Sequence, residues 1–395
     1  MTSGARHPAA SMPAVLSHGF RPFFLSAGLW SAASLALWIG MLGAGIELPS
    51  RFDPLAWHVH EMLFGFVMAA IAGFLLTAIP NWTHRLPVSG VPLALLYGCW
   101  ALGRAACLVS ALVPSWLAGT VDLTFPVALV AVAAREIVAG RNWRNLPMVV
   151  PVSVLGVANL LMHLEAAGVA VPPGVGWRLG LAAVIILISI IGGRIVPSFT
   201  RNWLAKRSGA ALPGAAGWID RLAVATLLAG LLGWAFVPDS RAAGMVLLLA
   251  ALLNLARLLR WRGWATFAEP LLLILHIGYA WLVVGTALLG WTVLDDDLPR
   301  AAAIHALTAG AAATMILAVM TRATRGHTGR DLTADRTTTL LYVLLTGAAV
   351  TRIVAACGVG PMMPLLILSA GLWIAAFAGF ALSYGPMLLL PRPSR

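Results

Sequence analysis

The chain has 395 residues, of which 60% are hydrophobic and only 10% are charged, and its formal net charge is +12. Soluble proteins carry roughly 25% charged residues, so this composition excludes a water-exposed globular surface. The basic residues lie between hydrophobic blocks, mostly in every second gap, which excludes a nucleic-acid-binding patch and is typical of cytoplasmic loops in membrane proteins.

Hydrophobic blocks recur along the whole chain at about 20 residues, the length that a helix needs to cross roughly 30 Å of hydrocarbon. They must be helices because isolated strands would leave backbone groups unpaired in lipid. The predicted helices α1 to α12 span residues 22–43, 58–79, 91–112, 115–138, 147–168, 178–199, 218–237, 241–260, 268–290, 301–321, 338–358 and 364–389. We therefore predict an all-α polytopic bundle of about twelve transmembrane helices, forming a single integral membrane domain over residues 1–395.

The orientation of the bundle follows from the short loops. Arginine and lysine are concentrated after α4, α6, α8 and α10, whereas the alternate loops carry few basic residues. Because such loops stay on the cytoplasmic side, we predict that both termini are cytoplasmic. The three cysteines, Cys99, Cys107 and Cys357, lie in apolar stretches without paired spacing, so neither a disulfide framework nor a thiolate metal motif follows from them.

α2 and α10 share a short sequence pattern, which we call the internal echo. His60 precedes Gly65 by five residues and His305 precedes Gly310 by five residues, and both helices run from the outer to the inner side. A repeat at every fourth helix indicates that the bundle consists of three units of four helices. The alternative is a bundle of two similar halves.

Ionisable side chains within membrane helices cost free energy and are candidates for functional sites. One set is predicted at a common depth near the outer face: His58, His60 and Glu61 on α2, Arg104 on α3, Asp122 on α4, His163 and Glu165 on α5, His305 on α10 and Arg352 on α11. His276 on α9 is predicted near mid-membrane.

Each candidate also has a structural interpretation. His58 and Glu165 could reach interfacial water, and His163 could hydrogen-bond with Asn159 at i,i+4 spacing. Arg104 and Asp122 could form a structural ion pair. Residues two apart on a regular helix point about 200° away from each other, so His58 and His60 either begin an irregular turn or serve different sites.

Histidines from separate helices at one depth favour a metal or haem site, and three chemistries fit. Haem b would take two axial histidines, with Arg104 and Arg352 near its propionates. Copper would take two or three imidazoles, with methionine thioethers nearby. Zinc catalysis would add a carboxylate base, for which Glu61 is available.

Four segments of the chain resemble the NnrS family of bacterial membrane proteins: residues 18–30, 57–83, 192–203 and 305–330. The resemblance implies a haem- and copper-containing inner-membrane protein of about twelve helices, associated with denitrification genes and with protection from nitric oxide. It leaves the mechanism open.

Haem–copper oxidases and nitric oxide reductases are similar in having twelve-helix cores of three four-helix arcs. Their low-spin haem is held by histidines of the second and tenth helices. In this chain, His60 (or His58) and His305 would correspond to those two histidines. The histidines of their second metal lie on the sixth and seventh helices, and α6 and α7 contain none. The analogy therefore extends to one site only.

We thus expect a haem b protein that binds or converts nitric oxide or relieves its damage, with His60 and His305 as axial ligands and Arg104 and Arg352 near the propionates. His58, His163 and His276 are candidates for copper or a second haem. Catalysis would make it a nitric-oxide-related oxidoreductase with a separate electron donor. The alternatives are a transporter of a metal, haem or nitrogen-oxide solute, and a nitric oxide sensor. Expected partners are membrane lipid and nitric oxide or a related small molecule, without nucleic acid.

Overall fold

The computed structural model describes residues 13–207, 209–295 and 297–392. These residues contain twelve helices that are long and apolar enough to cross a membrane, and no strand. The helices α1 to α12 span Phe20–Gly43, Pro54–Thr83, Gly90–Leu108, Ser115–Ala139, Trp143–Ala166, Val175–Leu204, Trp218–Phe236, Arg241–Leu259, Pro270–Leu294, Arg300–His327, Arg336–Ala356 and Met362–Leu389. The prediction of an all-α bundle of about twelve membrane helices is confirmed.

The helix ends differ from prediction mainly where polar residues continue a helix. α2, α6 and α10 are the clearest cases, because each extends past its apolar stretch into residues such as Asn81, Asn202 and Arg325 while remaining helical. α3 instead ends early at Leu108, since a short 3₁₀ turn, Ser110–Leu112, and Pro114 follow it. Hydrophobicity therefore marks the part of a helix in lipid rather than its full length.

The two ends of the described chain lie at the same end of the bundle. The Arg21 guanidinium at the start of α1 donates to the backbone carbonyls of Leu388 and Leu390 at the end of α12, at 3.0 and 2.8 Å. We call this the terminal end and the opposite one the distal end. An even number of crossings requires this arrangement; the cytoplasmic location of the terminal end stays a prediction.

α2, α6 and α10 form the centre of the bundle. Their most apolar stretches are 78%, 67% and 72% buried. Apart from α9, the remaining eight helices have stretches that are only 33–44% buried. The three central helices are four apart in sequence, the spacing on which the prediction of three four-helix units rests. That prediction stays open.

α2 and α10 also share a widened turn. Residues Glu61–Val67 and Ala306–Ala312 are π-helical, and each stretch begins directly after a histidine, His60 or His305. Single π-helical turns within α-helices occur frequently at functional sites. The sequence echo between these helices therefore corresponds to a common backbone feature at the distal end.

Candidate functional site

A cavity of about 630 Å³ lies at the distal end, and its size falls in the range typical of small-molecule and cofactor sites, roughly 300–1,000 Å³. We call it the distal cavity. Residues of α1, α2, α5, α6, α10, α11 and α12 line it, most of them apolar, including Trp38, Phe66, Leu181 and Trp373. Titratable side chains also line it: two imidazoles (His58 and His305), two guanidinium groups (Arg51 and Arg352) and two carboxylates (Asp53 and Glu165).

His58 enters the distal cavity from the first turns of α2. The helix begins at Pro54, and the Asp53 carboxylate caps it by accepting from the backbone N–H groups of Leu55 and Ala56 at 2.9 Å. The His58 ring stacks on Trp38, with ring centroids 4.1 Å apart and planes at 20°. Its Nδ1 atom is buried and has no hydrogen-bond partner among the described residues. The ring is thus held in position without using its nitrogens.

His305 is oriented by its own helix. Its Nδ1 atom lies 2.7 Å from the carbonyl oxygen of Ala301. A carbonyl can only accept, so Nδ1 carries the proton and Nε2 keeps a free lone pair. Histidines that bind metals commonly donate their second N–H to a carbonyl in this way.

Arg352 contributes a cation to the same cavity, and its Nη1 atom is buried without a partner in the described chain. The residues present therefore fit haem b: two neutral imidazoles can be axial ligands, an apolar slot can hold the macrocycle, and a guanidinium can meet a propionate. The structure brings His58 rather than His60 into the cavity with His305, because the side chains of His58 and His60 diverge along α2.

A second group of buried polar side chains lies beside the cavity, and its residues come from helices α1 to α5. We call it the polar cluster; it consists of Trp30, His60, Glu61, Arg104, Cys107, Asp122, Asn159 and His163. Its charged centre is inaccessible to solvent, with Glu61 0% and Asp122 1% exposed. Unpaired charges at such a depth would be strongly destabilising, so the pairing within the cluster decides its stability.

Arg104 binds both carboxylates of the polar cluster. Its Nη1 lies 2.8 Å from each Glu61 oxygen, and its Nη2 donates to Asp122. The predicted ion pair between Arg104 and Asp122 is thereby confirmed. Asp122 also accepts from the Asn159 amide at 2.9 Å and from His163 Nε2 at 3.0 Å. Asn159 and His163, which are four residues apart on α5, therefore both donate to the same carboxylate.

His60 is surrounded by acceptors. Its Nδ1 lies 3.0 Å from Glu61 Oε1, and its Nε2 lies 2.9 Å from Asn159 Oδ1 and 3.3 Å from Asp122 Oδ2. Because the Asn159 amide nitrogen donates to Asp122, its oxygen must face His60. Both ring nitrogens of His60 therefore donate, which makes the ring an imidazolium. Arg104 and His60 then balance the charges of Glu61 and Asp122.

The polar cluster also contains a set of metal-type donors. Ligand atoms of His60, Cys107, Asp122 and His163 lie within 4.8 Å of one another, so the group could hold a metal ion. Cys107 was not predicted as a ligand from the sequence, because the four donors come from four helices and no paired spacing indicates them. To act as a ligand, His60 would have to release a proton and one of its present hydrogen bonds.

The comparison with known families decides the identity of the chain. The family model described as NnrS protein matches residues 14–392. The chain belongs to the NnrS family. A comparison with curated proteins gives no match. Membership indicates a membrane protein of the nitric oxide response, and the matched region includes both the distal cavity and the polar cluster.

One aromatic ring separates the two sites of this NnrS-family chain. Phe52, in the segment between α1 and α2, lines the distal cavity and is 5% exposed. Its ring stacks on His60, with centroids 4.6 Å apart, and contacts His163 at 5.2 Å. The charged cluster and the apolar cavity are therefore adjacent, with Phe52 between them.

His276 lies apart from both the distal cavity and the polar cluster. It is six residues after Pro270, where α9 begins at the terminal end, and its mid-membrane depth stays a prediction. Its Nε2 lies 2.9 Å from Thr200 Oγ1, and its Nδ1 is buried without a partner among the described residues. It is therefore remote from the other candidate histidines, His58, His60, His163 and His305, which all lie at the distal end.

Replacing Gly65 with alanine is expected to destabilise the protein by about 1–3 kcal/mol, the usual cost of overpacking. An added Cβ would lie 2.5 Å from Trp30 Nε1 and 2.8 Å from Glu61 Oε2, which would force apart the 2.7 Å hydrogen bond between them. Thermal unfolding in detergent measures the effect. Gly98→Ala is the matched control, since nothing lies within 4 Å of its Cβ position; equal melting temperatures for the two variants would contradict the prediction.

Proposed function

We propose that the chain is a haem b protein of the bacterial inner membrane that acts in the nitric oxide response, with His58 and His305 as the axial ligands. The observation that carries the proposal is the pair of available imidazoles in one apolar cavity of about 630 Å³. Haem held by these residues would supply redox chemistry and an iron that can bind nitric oxide.

The protein's own residues have separate tasks in this proposal. Ala301 fixes the tautomer of His305 so that Nε2 faces away from the helix backbone with its lone pair free. Trp38 holds the plane of the His58 ring by stacking. Arg352, rather than Arg104, is the proposed partner of a propionate, because both Nη atoms of Arg104 are engaged by Glu61 and Asp122.

The experiment that tests the proposal is a pyridine haemochrome spectrum of the purified protein combined with elemental analysis. We expect the spectrum of haem b and iron in equal amount to the haem. A folded protein without a Soret band would overturn the proposal, and solute uptake by vesicles containing that pigment-free protein would favour the transporter alternative. Reduction of nitric oxide with an added electron donor would distinguish an oxidoreductase from a sensor.

We further propose that the copper implied by family resemblance binds in the polar cluster, at His60, Cys107, Asp122 and His163. Imidazole and thiolate ligands suit copper, and the donor atoms are already gathered within 4.8 Å. In the metal-free cluster, the protons on His60 occupy the positions that copper would need. Copper and protons therefore compete for the same nitrogen atoms.

Copper retention is accordingly expected to increase with pH, because raising the pH removes the competing protons. Copper bound after dialysis under reducing conditions would be compared at about pH 6 and about pH 8, the interval in which histidine charge usually changes. Cys107→Ser should lower retention at both values. Cys99→Ser, on the same helix α3 and outside the polar cluster, is the matched control. Equal copper contents in the two variants would reject the cluster as the copper site.

A further inference from the structure

A second cavity opens at the terminal end, between the central helices α2, α6 and α10. Its volume is about 450 Å³, and we call it the terminal cleft. Most of its lining is apolar and comes from residues such as Phe74, Trp82, Ile195, Phe199, Leu275 and Val319. The cleft is thus shaped by the same three helices as the distal cavity, at the opposite end of the bundle.

Two arginines enter this apolar cleft without a carboxylate. The Arg194 Nη1 atom donates to Asn145 Oδ1, a neutral acceptor, at 2.9 Å. The Arg322 guanidinium lies 4.2 Å from the centre of the Phe199 ring. Neither arginine forms a salt bridge within the described residues, and no acidic residue is among those that line the cleft.

A buried acid at the same end interacts with Arg322 through space but forms no salt bridge with either arginine among the described residues. The Glu269 carboxylate accepts from the backbone N–H groups of Leu271 and Ala334, at 3.1 and 3.0 Å, where it caps α9 and holds the segment before α11. Its direct hydrogen bonds are therefore to the backbone. The terminal cleft thus holds two guanidinium groups without a directly bound carboxylate next to a mainly apolar wall.

We propose that the terminal cleft binds an anionic phospholipid, with the phosphodiester between Arg194 and Arg322 and an acyl chain along the apolar wall. Guanidinium groups bind phosphate oxygens through paired, charge-assisted hydrogen bonds. Basic pockets between transmembrane helices are known to hold anionic lipid headgroups. The site is independent of the proposed haem and copper sites.

Native mass spectrometry of the full-length protein after delipidation tests the proposal, with phosphatidylglycerol and phosphatidylcholine of identical acyl chains as probes. We expect the wild-type protein to retain phosphatidylglycerol at least about tenfold better than phosphatidylcholine. The double variant Arg194→Gln/Arg322→Gln should lose that preference. Arg207→Gln is the matched control, because Arg207 stacks on Trp203 and lies outside the cleft.

Several results would overturn the proposal. Equal retention of the two lipids by the wild type is one, and it needs no variant that folds. Unchanged preference in a folded double variant is another. Displacement of phosphatidylglycerol by inorganic phosphate at equal concentration would assign the cleft to a soluble anion instead, and displacement by a fatty acid alone would assign it to carboxylates.

Discussion

Replacing His305 with alanine is expected to remove most of the haem absorbance of the purified protein. The substitution deletes the imidazole that α10 contributes to the distal cavity, whose tautomer is fixed by the Ala301 carbonyl. Loss of an outer-shell partner typically lowers metal affinity roughly 10–100-fold, so loss of a ligand should lower the haem-to-protein ratio by at least about tenfold. The ratio is measured from the Soret and protein absorbance of the monodisperse fraction.

Variants of α2 and α9 sharpen this test. His58→Ala should lose haem as His305→Ala does, whereas folded His60→Gln should keep it, because His60 belongs to the polar cluster rather than to the distal cavity. His276→Gln, altered at the terminal end, should also keep it. Haem loss in His60→Gln with retention in His58→Ala would restore His60 as the axial ligand. An unchanged spectrum in His305→Ala would reject the haem site.

Replacing Arg104 with glutamine is expected to destabilise the protein by about 3–5 kcal/mol, the usual effect of removing one partner from a buried ion pair. Glu61 and Asp122 would both stay charged at almost zero exposure, with His60 as the single remaining cation. Chemical unfolding in detergent micelles measures the loss. Arg241→Gln, at an exposed position at the start of α8, should change the stability by less than about 0.5 kcal/mol.

A second substitution distinguishes charge balance from lost packing. Arg104→Gln/Glu61→Gln removes one charge of each sign, so the polar cluster should regain part of the stability that Arg104→Gln alone loses. Glu61→Gln alone should also be destabilising, since it leaves an excess cation. If the double variant is no more stable than Arg104→Gln, the cluster is not held by charge balance. Equal stability of Arg104→Gln and Arg241→Gln would mean that the buried pairs contribute nothing.

The membrane helices could be predicted because lipid imposes a length and a composition on each of them. All twelve predicted ranges overlap the observed helices, and the echo between His60 and His305 marks two π-helical turns. The π-helical geometry itself could not be predicted from the hydrophobic pattern; in each of these turns a glycine packs closely against a tryptophan ring. A Cβ at Gly65 would meet the ring of Trp30, and one at Gly310 would meet the ring of Trp281.

The composition of the sites was harder to predict than their depth. Distal placement followed from helix direction, but the rotation of each helix about its axis depends on its neighbours. His58 therefore lines the distal cavity and His60 does not, and Cys107 lies in a donor set with residues of other helices. His276 belongs to neither group, and Arg104 is engaged by two carboxylates.

The position of Phe52 has a consequence for how the two halves of the site can communicate. The Phe52 ring lines the distal cavity and also stacks on His60 of the polar cluster, so it is in direct contact with both. Because Phe52 belongs to the connection before α2, its position is set by a segment outside the transmembrane helices. The charges of the polar cluster act on the electric field of the cavity across this ring, since an apolar interior screens them weakly. A change in this connection would therefore alter the field in the cavity while leaving the helical scaffold in place.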